Sequence, residues 1–154
     1  MNFGGHDYAA GLMIDQKNIE TFKKNFCKKA DLLLKEQDIL SKLHIDARMD
    51  FRDITFDFME SVSLLEPFGN ENPAPILYCD AIQSWQPKVI GKTHLKIFLE
   101  QQDRFLEGIG FGMAYRKNEL KKKRLKLRVC YTPQVNLFMK KASIQLQVRD
   151  FQLT

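Results

Sequence analysis

Alternation of apolar and other residues is the strongest pattern in the second half of the chain. Leu95, Ile97 and Leu99 are separated by single residues, and the same period of two recurs around Leu127 and Leu146. A period of two places one face of a strand in a core and the other in solvent. We therefore predict about five strands after residue 75, a number that favours a small closed β-barrel.

Helical spacing replaces this alternation in the first half. Ile19, Phe22 and Phe26 recur three to four residues apart, which predicts a helix over about 17 to 35 with the phenylalanines in a core. Thr55 is suited to cap a second helix, because its side-chain oxygen can accept a hydrogen bond from a free backbone amide. Together with the strands downstream, these helices predict an α+β fold.

A proline-rich segment separates the two halves. Residues 67–75 contain three prolines and a glycine, which end a helix and stiffen the chain that follows. We therefore predict three parts. Residues 1–66 form a partial α/β domain with two to three helices, residues 67–75 form a junction, and residues 76–154 form the barrel.

The composition is that of an ordinary globular chain. It is 44% hydrophobic and 28% charged over 154 residues. No apolar run approaches the ~20 residues of a membrane-spanning helix, and the N-terminus lacks the layout of a secretory signal. We therefore expect a cytoplasmic monomer without membrane contact. The three cysteines are widely spaced and odd in number, which argues against a disulfide framework or a zinc site.

The net charge of +5 is unevenly distributed. Residues 116–128 are rich in Lys and Arg and contain a single acid, Glu119. In residues 46–71 the charged side chains are mainly acidic, with seven Asp or Glu against two Arg. A basic segment on a barrel indicates a polyanionic partner, although a solvated lysine turn has the same composition. The candidate phosphate contacts in this segment are Arg116, Lys121, Lys122, Lys123, Arg124, Lys126 and Arg128.

Small five-stranded barrels often bind single-stranded nucleic acid, with cations for the phosphates and aromatic rings for the bases. Trp85 and Phe98 are the candidate stacking residues. The alternative role for Trp85 is to cover the barrel end, and the alternative for Phe98 is to pack on the first domain. A second basic edge consists of Lys88, Lys92, His94 and Lys96. The last strand carries a polar row of Gln145, Gln147 and Arg149. This row either binds a nucleic-acid strand or protects an exposed sheet edge from aggregation.

A small-residue motif lies at the start of the chain. Gly4 and Gly5 can take positive φ and turn consecutive amides toward an anion, and His6 can donate a hydrogen bond to a phosphate oxygen. The motif predicts a phosphate-reading loop. Such a loop needs a facing wall, so we expect the chain to be the C-terminal part of a larger protein.

Signs of catalytic chemistry are weak. No paired His and Asp spacing suits a two-metal site, and no Ser or Cys lies in a nucleophile motif. We therefore expect this chain alone to bind a polyanion without cutting it, and to bind no metal.

Several of these segments resemble one family. Gly4-Gly5-His6 with Ala9-Ala10-Gly11 is similar to the motif of the DHH-associated domain in DHH phosphoesterases. The segments 65–69, 72–75, 91–96 and 143–150 resemble the junction, first hairpin and last strand of the RecJ OB domain. Two positions depart from the pattern: Glu71 stands where many relatives carry glycine, and the last hairpin lacks an Asn–Gly turn.

The resemblance implies a fold and a function. The fold is a partial DHH-associated domain followed by a five-stranded OB-like barrel. The function is the single-stranded-DNA-binding C-terminal portion of a RecJ-like 5′→3′ exonuclease in DNA repair and recombination. The family uses Mn²⁺ or Mg²⁺ held by a DHH domain absent from this chain, and works with single-stranded-DNA-binding protein. His6 would contact phosphate near the catalytic cleft.

Two other functions remain open from the residues. One is a stand-alone module that binds nucleic acid or docks a partner without catalysis. The other is a remnant of a phosphodiesterase that acts on small nucleotides, against which the barrel argues because such an enzyme does not need it.

Overall fold

The computed structural model describes residues 2–6, 9–34 and 42–154. The chain divides into two compact units, residues 1–43 and 44–154. None of the helices in these described ranges has the length and hydrophobicity needed to cross a membrane.

The first unit is a β-hairpin followed by a helix. Strands β1 (Asn2–His6) and β2 (Ala9–Met13) pair antiparallel, and a 3₁₀ turn (Gln16–Asn18) leads into α1 (Ile19–Leu33). Asp15 caps the turn, since its carboxylate accepts a hydrogen bond from the Lys17 amide at 3.3 Å. The sequence predicts this helix over 17 to 35, and residue 35 lies outside the described ranges.

The phenylalanines of α1 differ from the prediction. Phe26 is exposed and Phe22 is half-buried, although the sequence pattern predicts both in a core. The two rings contact each other, with centroids 5.7 Å apart. Among its described residues, the first unit buries no side chain completely, because two short strands cover only part of one helix.

The second unit begins before the predicted junction. Strand β3 (Ala47–Arg48) pairs parallel with the start of the first long barrel strand, and α2 (Phe56–Ser63) follows with Thr55 as its cap, as predicted. Phe51 and Ile54 are fully buried in the barrel core. Contacts divide the chain into compact units between residues 43 and 44, because two apolar side chains tie this segment to the barrel, and the predicted domain junction at 67–75 stays a prediction.

Five long strands form the closed barrel: β4 (Leu77–Ile90), β5 (His94–Gln101), β6 (Arg104–Gly110), β7 (Lys126–Phe138) and β8 (Lys141–Leu153). In order around it, β4 pairs with β5, β5 with β6, β6 with β8, β8 with β7, and β7 again with β4. All pairs are antiparallel except β6 with β8. A 3₁₀ helix, Met113–Leu120, connects β6 to β7.

Alternation sorts the side chains as the sequence predicts. Leu95, Ile97 and Leu99 of β5 are completely buried, as are Leu127 of β7 and Leu146 of β8. Burial of apolar surface of this kind is the main stabilising term of a small barrel. The observed closed barrel confirms the predicted α+β fold with a five-stranded barrel.

Candidate nucleic-acid interface

The pairing of β4 with β5 places Trp85 on the surface. Its Cα lies opposite that of Phe98, and the register shifts on both sides of Trp85. Pro87, which has no amide to donate, lies in the second irregular stretch, where a proline is tolerated in a strand. The irregularity turns Trp85 outward, so that 68% of the residue is exposed.

Two glutamines of β4 hold the loop that follows the 3₁₀ helix. The buried side-chain amide of Gln83 donates hydrogen bonds to the carbonyl oxygens of Leu120 at 3.0 Å and Trp85 at 3.1 Å. The amide of Gln86 donates to the Lys121 carbonyl at 2.9 Å. We call residues 121–124 the lysine loop. These bonds fix the lysine loop beside Trp85.

Trp85, Phe98 and Lys123 of the lysine loop border a surface pocket of about 450 Å³. Ser84 closes one side and donates a hydrogen bond to the Phe98 carbonyl at 3.2 Å. The Lys88 ammonium lies 5.8 Å from the centre of the Phe98 ring, within the range of a cation–π interaction. The residues of this aromatic pocket are Ser84, Trp85, Gln86, Lys88, Phe98 and Lys123.

The cations at the aromatic pocket are largely free of acidic partners. In the described part of the chain, no carboxylate lies within 4.0 Å of Lys88 or of Lys121, Lys122 and Lys123. Arg124 at the end of the lysine loop is 3.5 Å from Glu100. The pocket therefore combines an exposed aromatic surface with uncompensated positive charge, as a site for single-stranded nucleic acid requires.

Arg116, a predicted phosphate contact, has several hydrogen-bond partners within the barrel unit. Its guanidinium donates two hydrogen bonds to Glu119 at 2.9 Å, one to Asp150 at 2.5 Å and one to the Phe151 carbonyl at 2.8 Å. The guanidinium also lies 3.7 Å from the centre of the Phe151 ring. The hydrogen bonds from Arg116 lower the pKa of the Glu119 carboxyl. Arg116 thus joins the 3₁₀ helix to β8, and few of its donors remain for phosphate.

Two further predicted contacts have partners within the barrel. Arg128 donates to Asp80 at 3.0 Å across the β4–β7 pair. The Nδ1 atom of His94 accepts a hydrogen bond from the Gly112 amide at 3.1 Å, and its ring packs edge-on against Phe111. Both side chains therefore make interactions that stabilise the barrel unit itself.

The three side chains of the polar row on β8 also have hydrogen-bond partners within the barrel unit. Gln145 donates to Glu107 at 2.8 Å, and Arg149 donates to Thr132 at 3.2 Å. Gln147 accepts a hydrogen bond from Gln134 at 3.2 Å. Because β8 pairs with β6 and β7 on its two sides, this row does not lie on an open sheet edge.

Two predicted lysines lie away from the aromatic pocket. Lys92 is exposed in the turn between β4 and β5, where it takes a positive φ of 67°. Lys126 is exposed at the start of β7. Neither is among the residues that line the pocket.

The glycine motif forms a strand rather than a loop. Gly4, Gly5 and His6 pair with Gly11, Ala10 and Ala9 in the β1–β2 hairpin. The described glycines with positive φ are Gly91 and Gly112, so the predicted anion nest is absent from the described part of this motif. Asp7 and Tyr8 lie outside the described ranges.

Close approach, not positive φ, explains the glycine at position 5. A Cβ there would lie 2.6 Å from the Ala9 carbonyl oxygen and 2.9 Å from the Ala10 Cα. His6 is exposed at the end of β1. Together with Phe22 and Phe26 of α1, the hairpin borders a mostly apolar groove of about 550 Å³.

The sequence could not reveal the residues that position the pocket. Sequence patterns do not single out Gln83, Ser84 and Gln86, since their roles depend on carbonyl groups far away in the chain. Pro87 inside a strand is the available signal, because it marks a bulge. Within the described ranges, no three His, Cys, Asp or Glu side chains come together to hold a metal ion.

Comparison with known proteins places this geometry in a family. The family model described as the RecJ OB domain matches residues 45–150. The chain is 28% identical over 113 residues to the single-stranded-DNA-specific exonuclease RecJ of Bacillus subtilis (strain 168), covering 72% of this chain and 14% of that protein. It is 24% identical over 153 residues to the RecJ of Dickeya dadantii (strain 3937), covering 96% of this chain and 26% of that protein.

A solved structure has the same fold. The crystal structure of RecJ from Thermus thermophilus in complex with Mn²⁺ matches 99% of this chain with a TM-score of 0.75 and 19% sequence identity. The match covers 22% of that chain. This chain thus spans about a quarter or less of the relatives it matches. The match over residues 45–150 shows that the chain belongs to the RecJ OB domain family.

Proposed function

We propose that the barrel binds single-stranded DNA at the aromatic pocket and along the lysine loop. The observation that carries this proposal is the position of Trp85, exposed between Lys88 and Lys123 on one wall of the barrel. A base stacked on an aromatic ring contributes about 1–3 kcal/mol regardless of its identity. The surrounding ammonium groups attract the flanking phosphates, so the pocket favours unpaired strands without reading their sequence.

The lysine loop supplies the phosphate contacts. Its backbone is held by Gln83 and Gln86, so little chain ordering opposes binding at this point. The three lysines are exposed and far from the acidic segment at residues 46–71 in sequence. We propose Lys121, Lys122 and Lys123 as the main phosphate contacts, together with Lys88.

We propose further that the chain is the DNA-binding C-terminal portion of a RecJ-like 5′→3′ exonuclease in DNA repair and recombination. Residues 1–43 would be the end of a DHH-associated domain. Gly4, Gly5 and His6 would approach the phosphate backbone through the β1–β2 hairpin. The Mn²⁺ or Mg²⁺ ions would lie in a DHH domain elsewhere in the protein, so this chain alone would not cut DNA.

The cellular setting belongs to the same proposal. A repair exonuclease would work in the cytoplasm, as a monomer, with single-stranded-DNA-binding protein as a partner. The match to the RecJ OB domain is what supports this setting. The alternative is a stand-alone module, and a reading frame that continues upstream into an Asp-His-His segment would decide against it.

Trp85 provides a direct test, because it is the only tryptophan of the chain. Titration with oligothymidylate should quench its fluorescence, and the affinity should fall steeply as salt rises, because bound lysines release counterions from phosphate. Duplex DNA of equal length should quench weakly. Binding without quenching would move the site away from the aromatic pocket, and binding independent of salt would contradict the role of the lysine loop.

The absence of cutting needs its own assay. The purified chain with Mn²⁺ should release no nucleotides from labelled single-stranded DNA beyond the level of a buffer control. Release that disappears on adding a chelator would show a metal site within this chain.

A further inference from the structure

Two lysines meet on the outer face of the β4–β5 pair. Lys88 and Lys96 lie directly opposite each other in the antiparallel register. Their ammonium groups lie 5.8 Å and 5.5 Å from the centre of the same Phe98 ring. Like charges in directly opposed positions destabilise a strand pair, so the arrangement requires compensation or serves an anion.

Glu107 of β6 compensates one of these lysines. Its carboxylate lies 2.6 Å from the Lys96 ammonium and accepts a second hydrogen bond from Gln145 at 2.8 Å. The side chains of Lys96 and Glu107 are 26% and 34% exposed. A half-buried ion pair is screened less by salt than a fully exposed one, so the attraction between Glu107 and Lys96 persists as the salt concentration rises.

The other lysine has no such partner. In the described ranges no carboxylate lies within 4.0 Å of Lys88, which lines the aromatic pocket beside Trp85. The two cations thus share one aromatic ring but differ in their access to an added anion. The difference comes from a single acid on the neighbouring strand.

We propose that Glu107 competes with DNA phosphate for Lys96 and thereby limits the affinity of the barrel for single strands. A carboxylate and a phosphate are both oxyanions that accept hydrogen bonds from an ammonium group. While Glu107 holds Lys96, the strand gains a phosphate contact from Lys88 but not from Lys96. The inference rests on the proposed DNA binding and concerns its regulation by one internal acid.

The Glu107→Gln variant tests this competition in the 154-residue chain. Glutamine keeps the shape of the side chain and can still accept the hydrogen bond from Gln145. With labelled oligothymidylate, we expect affinity to rise about twofold to fivefold at low salt, the upper part of the range for ion pairs at protein surfaces. The slope of log affinity against log salt should steepen by about 0.7, the value for one more phosphate contact on a single strand.

Two further variants separate this effect from a general gain in positive charge. Asp103→Asn removes one acid from the β5–β6 turn. In the described ranges, no cation lies within 4.0 Å of the Asp103 carboxylate. Asparagine also tolerates the positive φ of 64° at this position. It should leave the slope unchanged. The K96M/E107Q double variant should return affinity and slope to those of the original chain, because the released lysine is gone.

Each outcome decides between the two claims. If the original chain does not bind oligothymidylate, the proposed function is wrong. If it binds and E107Q neither tightens binding nor steepens the slope, or if D103N does so equally, the competition is wrong. If E107Q fails to fold by circular dichroism, the double variant still decides, because a slope about 0.7 shallower than the original would show that Lys96 already contacts phosphate.

Discussion

The two units of this chain contain similar apolar residues but use them differently. The barrel unit has a core that completely buries side chains such as Leu95, Ile97 and Val129, whereas the first unit leaves Phe3, Phe26 and Leu32 mostly exposed. Every completely buried side chain in the described ranges belongs to the barrel unit. The difference teaches that periodic apolar residues are enough to form a helix or hairpin, while a core requires enough elements to surround it.

Stability should show the largest contrast between the units. Leu146→Ala in the barrel removes a completely buried side chain and should lower the free energy of unfolding by about 2–5 kcal/mol. Leu32→Ala on α1 should change it by less than about 0.5 kcal/mol, because this side chain is largely exposed. Urea denaturation followed by far-UV circular dichroism, which reports on both units, measures both variants, and equal losses would show that the first unit has a core of its own.

Aromatic side chains should show the next contrast. Trp85→Leu should weaken the binding of oligothymidylate by about 1–3 kcal/mol, because a stacking surface is lost. Phe26→Leu, which changes an exposed ring of the first unit, should have no effect. Fluorescence anisotropy of a labelled oligonucleotide measures both variants, and an equal loss for Phe26→Leu would place bases on α1.

Lysines on the two units allow a matched comparison of charge. Reversal of Lys121, Lys122 and Lys123 to glutamate should lower affinity roughly tenfold at low salt and reduce the salt slope by about 2. Reversal of Lys24, Lys28 and Lys29 on α1 makes the same change in net charge and should have a much smaller effect. Similar losses in both triple variants would mean that net charge, not the lysine loop, drives binding.

Alkaline pH should show the smallest effect. Burial raises the pKa of the Cys79 thiol from 9.0 to about 12. Below pH 9 the thiol is mainly protonated in both the folded and the unfolded chain. Between pH 9 and 12 it ionises in the unfolded chain only. The free energy of unfolding therefore falls as pH rises, by about 1 kcal/mol at pH 10. Urea denaturation at about pH 8 and about pH 10 should show a smaller fall in Cys79→Ala. Cys27→Ala, at an exposed cysteine of the first unit, should behave like the original chain.

Much of the barrel could be predicted from the sequence because a strand repeats every two residues. The alternation at Leu95, Ile97 and Leu99 assigns inside and outside correctly, and Thr55 caps a helix as predicted. These signals are local, so each can be interpreted without knowing the rest of the fold. The sequence also indicates Trp85 and Phe98 as candidate stacking residues and Lys88 as part of a basic edge, and the structure brings these three residues to one pocket.

Features that depend on distant partners cannot be predicted in this way. Phe51 and Ile54 stand among charged residues, so the local sequence does not show that their side chains enter the barrel core. Their burial there is why the compact unit that contains the barrel begins at residue 44. Arg116 resembles any other cation of its segment until Asp150 and Phe151, on another strand, are placed against it. The glycines at positions 4 and 5 suit a loop and a tight hairpin equally well, and only the pairing with Ala10 and Gly11 distinguishes them.

The manner in which Gln83 and Gln86 hold the lysine loop has a consequence for how this surface can vary. Both amides donate to main-chain carbonyl groups, which every residue type possesses. Substitution of Lys121, Lys122 or Lys123 would therefore leave both hydrogen bonds in place. The charge of this surface can change in evolution, or be redesigned, while the scaffold that presents it stays constant.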